Sequence, residues 1–353
     1  MTLMAPALQV PFSLLKMTMS HRVLIPVDLQ APSLLPPDAA LQRLSGQTMG
    51  TTWSVQALVP RSITRETIAT AIAARLQRVI DEMSTWEAGS LISRFNRAPA
   101  GSWHALPEDF FTVLDAALTM AVDSAGAFDP TVGPLVDLWG FGAGSVQRDA
   151  LRLPDPTLLE STRQRCGWQR LVFDRAQRKV QQAGGVHLDF SGIAKGYAVD
   201  LVAQALRDCG CVSWLAEVGG ELVGEGVKAD GQPWWVALER PPQDDSAGMV
   251  VALHGLAIAT SGDYRRYVDH DGLRYAHTID PRTGTPVRTA LASVTVLHRQ
   301  CMVADALATV LTVLGEEAGL SFARERGIAA LFITREADGF RESLTPALAA
   351  MLQ

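Results

Sequence analysis

Val212-Ser-Trp-Leu-Ala-Glu-Val-Gly-Gly-Glu-Leu-Val-Gly-Glu-Gly-Val227 carries two β-rich runs, Val212–Val218 and Glu221–Val227, on either side of Gly219-Gly220. Branched and aromatic side chains suit a pleated, half-buried surface, and paired glycines suit a turn. The same texture continues downstream in Trp234–Leu238, Val250–Leu253, Leu256–Thr260, Tyr275–Ile279, Ser293–Val296 and Ala329–Ile333. Upstream, Thr51–Leu58 and Val186–Phe190 read as strands, and Leu171–Phe173 with Lys179–Gln181 as a hairpin. Helical spacing marks Thr64–Met83, Pro107–Ser124, Pro156–Arg165, Ile193–Asp208 and Met302–Leu314, the last stopped by Gly315. Strands in runs with helices between them predict an α+β fold rich in antiparallel sheet. The missing βαβ alternation disfavours a doubly wound dinucleotide fold.

The composition supports this reading. The 353 residues are 48% hydrophobic and 19% charged, enough for a large core. A net charge of -6 argues against a general nucleic-acid or anionic-membrane surface. Cys166, Cys209, Cys211 and Cys301 are irregularly spaced and imply neither a disulfide framework nor a zinc site. Residues 1–19 carry Lys16 as their one charge and are broken by Pro6 and Pro11, so they make a poor secretory signal, and no run spans a bilayer. No early cysteine offers a lipid anchor, and the cytoplasm is favoured over the periplasm. Residues 26–40 are Pro-rich and read as irregular, with order beginning near Gly50.

Several segments carry possible chemistry. In Asp189-Phe-Ser-Gly-Ile-Ala-Lys-Gly196 a strand runs into a Gly-bearing turn that opens a helix, with Lys195 in its first turn. Exposed N–H groups and a lysine there suit an anion, although on local pattern alone Asp189 or Ser191 acting as a plain helix cap is the better explanation. In Ala304-Asp-Ala-Leu-Ala-Thr309 the oxygens of Asp305 and Thr309 stand one turn apart on a nearly all-apolar helix. That pair suits Mg²⁺, while the plain alternative is a dipole interaction for Asp305 and a back-bond for Thr309. A carboxylate on so apolar a helix needs a partner either way. His277-Thr-Ile-Asp-Pro-Arg-Thr-Gly284 places a histidine at a strand end before a turn. Ser84-Thr-Trp-Glu-Ala-Gly-Ser90 puts Trp86 on a loop, either stacked on a flat ring or anchored in the core.

Together, and in this order, these segments resemble the ApbE-type FAD:protein FMN transferases. The resemblance runs from Met49-Gly-Thr-Thr through Ser84–Ser90 with Asn96, Gly126-Ala-Phe-Asp-Pro-Thr-Val-Gly133, Asp189–Gly196, Val218-Gly-Gly-Glu221, Ala259-Thr-Ser-Gly262 and His277–Gly284 to Ala304–Thr309. It covers almost everything after residue 45. It therefore implies an irregular leader over residues 1–44 and a T-fold-like transferase domain, with helices flanking the sheet, over residues 45–353.

The activity it implies is Mg²⁺-dependent transfer of FMN from FAD to a Ser or Thr of an acceptor flavoprotein, with release of AMP. Met49, Trp86, Ala127, Phe128, Asp129, Asp189, Lys195 and Ile279 would contact FAD, with Trp86 where relatives usually carry a stacking tyrosine. Asp305, Thr309 and the main-chain carbonyl of Gly192 would hold the metal, and His277 would assist proton transfer. Relatives often carry Ala or Ser at the Gly192 position, and a backbone ligand should tolerate the change. Glu221 is longer than the polar residue expected after Gly219-Gly220. The competing readings are an FAD pyrophosphatase and a flavin-binding protein without turnover.

Overall fold

The structure is a computed structural model that describes residues 21–143, 153–271 and 273–353. Its centre is one antiparallel sheet of eight strands. These are β1 (Ala40–Thr48), β2 (Thr51–Val59), β3 (Ser213–Val218), β4 (Glu221–Glu225), β5 (Leu256–Gly262), β6 (Leu291–His298), β7 (Ala329–Glu336) and β8 (Gly339–Leu344). Their order across the sheet is their order along the chain. Each strand pairs with its predecessor, and everything else is inserted between neighbours.

The helices cover one face. Between β2 and β3 run α1 (Arg65–Met83), α2 (Leu91–Asn96), α3 (Glu108–Asp123) and α4 (Ala194–Asp208), and between β6 and β7 runs α5 (Cys301–Glu325). Thr64 caps α1 by accepting the Thr67 N–H at 3.1 Å, as its position before an amphipathic run predicts. The buried residues of α1 recur at Ile68, Ile72, Leu76, Val79 and Met83 and pack with Trp53, Val55 and Ala57 of β2. Helix α5 has the length and apolarity of a membrane span, but its buried side chains fill the space between the sheet and α4. Gly315 interrupts it as expected, with φ 77° and ψ 178° inside the run.

The opposite face is covered by a three-stranded sheet of Arg22–Leu24, Trp234–Ala237 and Met249–Leu253. With both faces covered, alternate residues of β7 serve two cores. Ala330 and Phe332 face α5, and Leu331 and Ile333 face the small sheet. That is why Ala329–Ile333 reads as a continuous apolar run instead of an alternating one.

Two expectations are corrected. The leader is not wholly irregular, and order begins before Gly50. Arg22–Leu24 pairs in parallel with Met249–Val251, Leu24 is fully buried, and β1 starts at Ala40, inside the expected leader. Residues 1–20 lie outside the described part of the chain. Val186–Phe190 is not a strand. His187 makes a single bridge to Val132, and the Asn96 side chain takes both main-chain groups of Leu188, accepting its N–H at 2.7 Å and donating to its carbonyl at 2.9 Å.

Candidate active site

Helices α4 and α5 meet at their N-terminal turns and cap each other. Helix α4 has no side-chain cap of its own. Asp189 makes a local turn instead, its Oδ1 accepting the Ser191 N–H at 2.8 Å. The Gly196 N–H in the first turn of α4 is accepted by Oδ2 of Asp305 on α5, at 2.9 Å. In return, Asp200 of α4 accepts the Cys301 and Met302 N–H groups that open α5, each at 2.9 Å. Each carboxylate thus sits on the partner helix's positive end. The crossing is close, because a Cβ on Gly196 would lie 2.3 Å from the Cys301 carbonyl oxygen. Only glycine fits there.

This explains why Asp305 is tolerated with 4% exposure on an apolar helix. Its dipole partner is α4, not its own helix. Its other oxygen accepts no hydrogen bond among the described residues. Thr309, one turn on, does not back-bond to its own helix, whereas Thr312 does so to Ala308 at 2.8 Å. The Thr309 hydroxyl instead faces Gly192, where a Cβ would lie 3.0 Å from Oγ1 and 3.4 Å from the Phe128 ring. A larger residue at 192 therefore presses on Thr309, a tighter fit than a backbone ligand alone would demand. Thr309 thus lies against Gly192, with Asp305 one turn before it on α5, and a carboxylate and a hydroxyl with unspent oxygens suit a hard cation.

Lys195 adds the charge. Its ammonium pairs with Glu221 at the start of β4, and 34% of its side-chain surface stays open. Burial alone would depress the Lys195 pKa, but Glu221 and Asp305 outweigh burial and hold it raised. Burial holds the Asp305 carboxyl above its usual range, against the pull of Lys195, the Gly196 N–H and Arg265. Glu221 is raised too, chiefly by burial, with 1% exposure. Its Oε2 has no hydrogen-bond partner among the described residues. An orphaned oxygen beside a buried carboxylate and an ammonium marks a place where a donor or cation is wanted.

His277 lies within the field of Lys195. Its Nδ1 lies 3.0 Å from the Arg266 carbonyl, which can only accept, so Nδ1 carries the proton, and Nε2 has no hydrogen-bond partner among the described residues. Burial first, then the charges of Arg266, Lys195 and Arg265, push its pKa down to about 4. It is neutral at pH 7. Arg265 is itself anchored, donating to Gly219 O at 3.0 Å and pairing with Glu239.

The remaining expected residues form the walls. Trp86 is 66% exposed on the loop after α1, which removes the core-anchor reading. Its neighbour Thr85 lines a cavity of about 120 Å³ together with Ser93, Asn96, Asp137, His187 and Asp189. Met49 holds φ 47° before Gly50 at 71°, a two-residue turn with both residues left-handed. Glycine takes that conformation freely, but a methionine there costs about 1 kcal/mol. The side chain of Ile279 is buried in a satellite cluster with Leu135, Trp139 and Tyr275, which leaves its main chain for any ligand. Ala127 and Phe128 are buried behind Gly192. Asp129 is spent on structure. One oxygen accepts the Thr131 N–H at 2.8 Å and hydroxyl at 2.7 Å, and the other accepts the Trp168 N–H at 3.1 Å.

The sequence reading missed Asp200 as the reciprocal cap, Arg265 as an anchor of the Gly219 turn and Glu221 as the partner of Lys195. Asp200 carried the same signal as Asp305, an isolated acid on an apolar helix.

The protein is thus an α+β protein whose antiparallel sheet carries helices on one face, with acidic side chains and a lysine gathered between two helix starts. The family model described as the ApbE family matches residues 49–332. The FAD:protein FMN transferase of Vibrio cholerae is 40% identical over 85% of this chain and 89% of its own length. That of Haemophilus influenzae is 38% identical over 84% and 87%. Among solved structures, the apo flavinyl transferase ApbE of Pseudomonas stutzeri superposes with a TM-score of 0.82 at 39% identity, covering 89% of this chain and 97% of that one. The flavin transferase ApbE of Vibrio cholerae also gives 0.82, at 38% identity over 89% and 100%. The chain belongs to the ApbE family. It is an enzyme of the FAD:protein FMN transferase class, with the α+β architecture expected from the sequence.

Proposed function

We propose that this chain moves the FMN half of FAD onto a Ser or Thr hydroxyl of an acceptor flavoprotein, with Mg²⁺ as the metal and AMP as the leaving group. The observation that carries the reading is the placing of Asp305 and Thr309 near Gly192 and Lys195, with one Asp305 oxygen and the Thr309 hydroxyl unspent among the described residues. Asp305, Thr309 and the Gly192 carbonyl would hold Mg²⁺, which supplies charge neutralisation on the pyrophosphate. Lys195 would place its ammonium on the phosphates, a shift available because its side chain is still partly open. Trp86 would stack its exposed indole on the isoalloxazine.

His277 is suited to take the acceptor proton. Its Nε2 is unprotonated at pH 7, and the Arg266 carbonyl fixes the ring through Nδ1–H. The acceptor oxygen forms the new bond to the FMN phosphorus as the bond to the AMP oxygen breaks, and His277 later passes the proton to solvent. Its low pKa makes it a weak base, which suits a loose transition state where proton transfer comes late.

The test is intact mass. Purified protein is incubated with FAD, Mg²⁺ and an acceptor domain bearing a Thr-containing flavinylation segment. A gain equal to FMN minus water, lost on chelation, supports transfer. FMN and AMP without labelled acceptor point to the pyrophosphatase. Unconsumed FAD sinks both.

A further inference from the structure

The two edges of the central sheet are finished differently. At the β8 edge, Glu342 is paired with both Arg22 and Arg240, and Arg341 with both Glu316 and Glu336. Charges along an edge discourage another strand from pairing there. The β1 edge has no ion pair among the described residues and no proline.

The register of β1 is fixed by its turn. Thr48 pairs with Thr51 across the two-residue loop Met49-Gly50, so Ala40, Gln42, Leu44, Gly46 and Thr48 bond to β2. The N–H and C=O groups of Leu41, Arg43, Ser45 and Gln47 point outward. Among the described residues nothing takes them up. This open ladder runs to the active site. Beyond the turn, Thr51 lies against Gly219, where a Cβ would stand 3.0 Å from its Cγ2, and Gly219 donates to Thr52 O at 3.0 Å. Two residues on is Glu221, the partner of Lys195.

Beside the same edge, on the face away from the helices, lies a groove of about 300 Å³. Leu41, Leu58 and Trp234 give it an apolar lining, and Arg43 and Lys228 bring positive charge. Neither cation has an ion-pair partner among the described residues. Asp230 is the one acid lining the groove.

We propose that β1 is the docking edge for the acceptor protein: an extended acceptor segment adds as a ninth strand, places an acidic or apolar side chain in the Arg43–Lys228 groove, and leads its hydroxyl past the Met49 turn to the catalytic cluster. Strand addition draws affinity from main-chain hydrogen bonds and specificity from pockets for alternate side chains, and this edge offers both. The inference rests on the transferase reading, because only a protein acceptor requires such a surface.

The experiment uses the full chain and a purified acceptor domain with a Thr-containing flavinylation segment. Hydrogen exchange on mixing, without FAD, should slow at Leu41, Arg43, Ser45 and Gln47, while Gln42, Leu44 and Gly46 are already protected by β2. Ser45→Pro removes an N–H that the protein itself does not use, and Arg43→Glu reverses the groove charge without touching the backbone. Each should raise the acceptor KM about tenfold or more while leaving FAD affinity within twofold. Arg43→Glu keeps the test alive if the proline variant fails to fold. Unchanged acceptor KM in Arg43→Glu together with no new protection on the edge overturns the proposal. So does edge protection that appears without acceptor and grows with enzyme concentration, which would assign the edge to a second copy of the chain. Failure of the wild type to label the acceptor counts against the transferase reading, while exchange without FAD still judges the docking.

Discussion

Asp305 and Asp200 present the same sequence feature twice, a lone carboxylate on an apolar helix. Each accepts backbone N–H groups at the start of the other's helix. Asp200 uses both oxygens, one for Cys301 and one for Met302, and the residue one turn on, Gln204, turns away to Asp208. Among the described residues Asp305 uses one oxygen and keeps the other, the Thr309 hydroxyl one turn on makes no hydrogen bond, and the Lys195 charge acts on the carboxylate. The difference separates a structural cap from a site. What matters is how much of a buried polar group's bonding capacity the fold leaves unspent.

The comparison is broken most severely at Asp305. Asp305→Ala should cut AMP release from FAD by roughly a hundredfold or more, the scale of losing a group that stabilises transition-state charge. Its unfolding free energy should fall only by the value of one cap, about 1–2 kcal/mol. Normal AMP release by this variant would remove Asp305 from the metal site.

Asp200→Ala should do the reverse. It strands two N–H groups and should cost about 2–3 kcal/mol in denaturant unfolding, with turnover per folded molecule nearly unchanged. A large loss of turnover at full stability would make Asp200 part of the chemistry.

Thr309→Val keeps the shape and removes the hydroxyl. Turnover should fall about tenfold, with added Mg²⁺ restoring part of it, while stability moves by less than about 1 kcal/mol. Indifference to Mg²⁺ concentration would place the hydroxyl outside the metal's ligands.

The smallest effect is in pH. Burial lifts the Asp200 carboxyl to about 6 despite the two N–H groups. The folded state therefore holds a proton that the unfolded state releases near 4, and this group's contribution falls as pH rises from about 4 through 6. The stability of the wild type relative to Asp200→Asn should decline across that window by on the order of 1 kcal/mol. A flat difference would mean that the carboxyl titrates normally.

Much of the fold was legible because periodicity reports burial. The helices of the β2–β3 insertion and the strands after Val212 followed from it. The misses have physical causes. Arg22–Leu24 is three residues long and buried by a distant partner strand, information absent from its own neighbourhood. Strand β1 is an edge with polar residues at most positions, so it reads as loop. Val186–Phe190 has strand-like residues, but a side chain, Asn96, occupies the place of a neighbouring strand. Within the site, Thr309 lies against Gly192 and Asp305 caps the helix that carries Lys195, relations across the fold that no local pattern spells out. Glu221 was noticed only for its length, which is what lets it reach Lys195 from the start of β4. Asp129, which the resemblance placed at the FAD site, turns its oxygens to Thr131 and Trp168 in the structure, partners that its own segment does not announce.

The sheet's strand order has a consequence for how the chain assembles. From β3 to β8 each new strand needs only a short or moderate closure onto its predecessor, and α5 is enclosed within that run. The exception is β2 with β3, which can meet only after the whole stretch from Pro60 to Val212 has been gathered. Non-local pairings form late because loop entropy is lost before contacts compensate for it. The β2–β3 seam, with the Met49 turn on one side and the Gly219 turn on the other, should therefore be the last part of the sheet to close, so the catalytic cluster matures only when the slowest joint in the molecule has set.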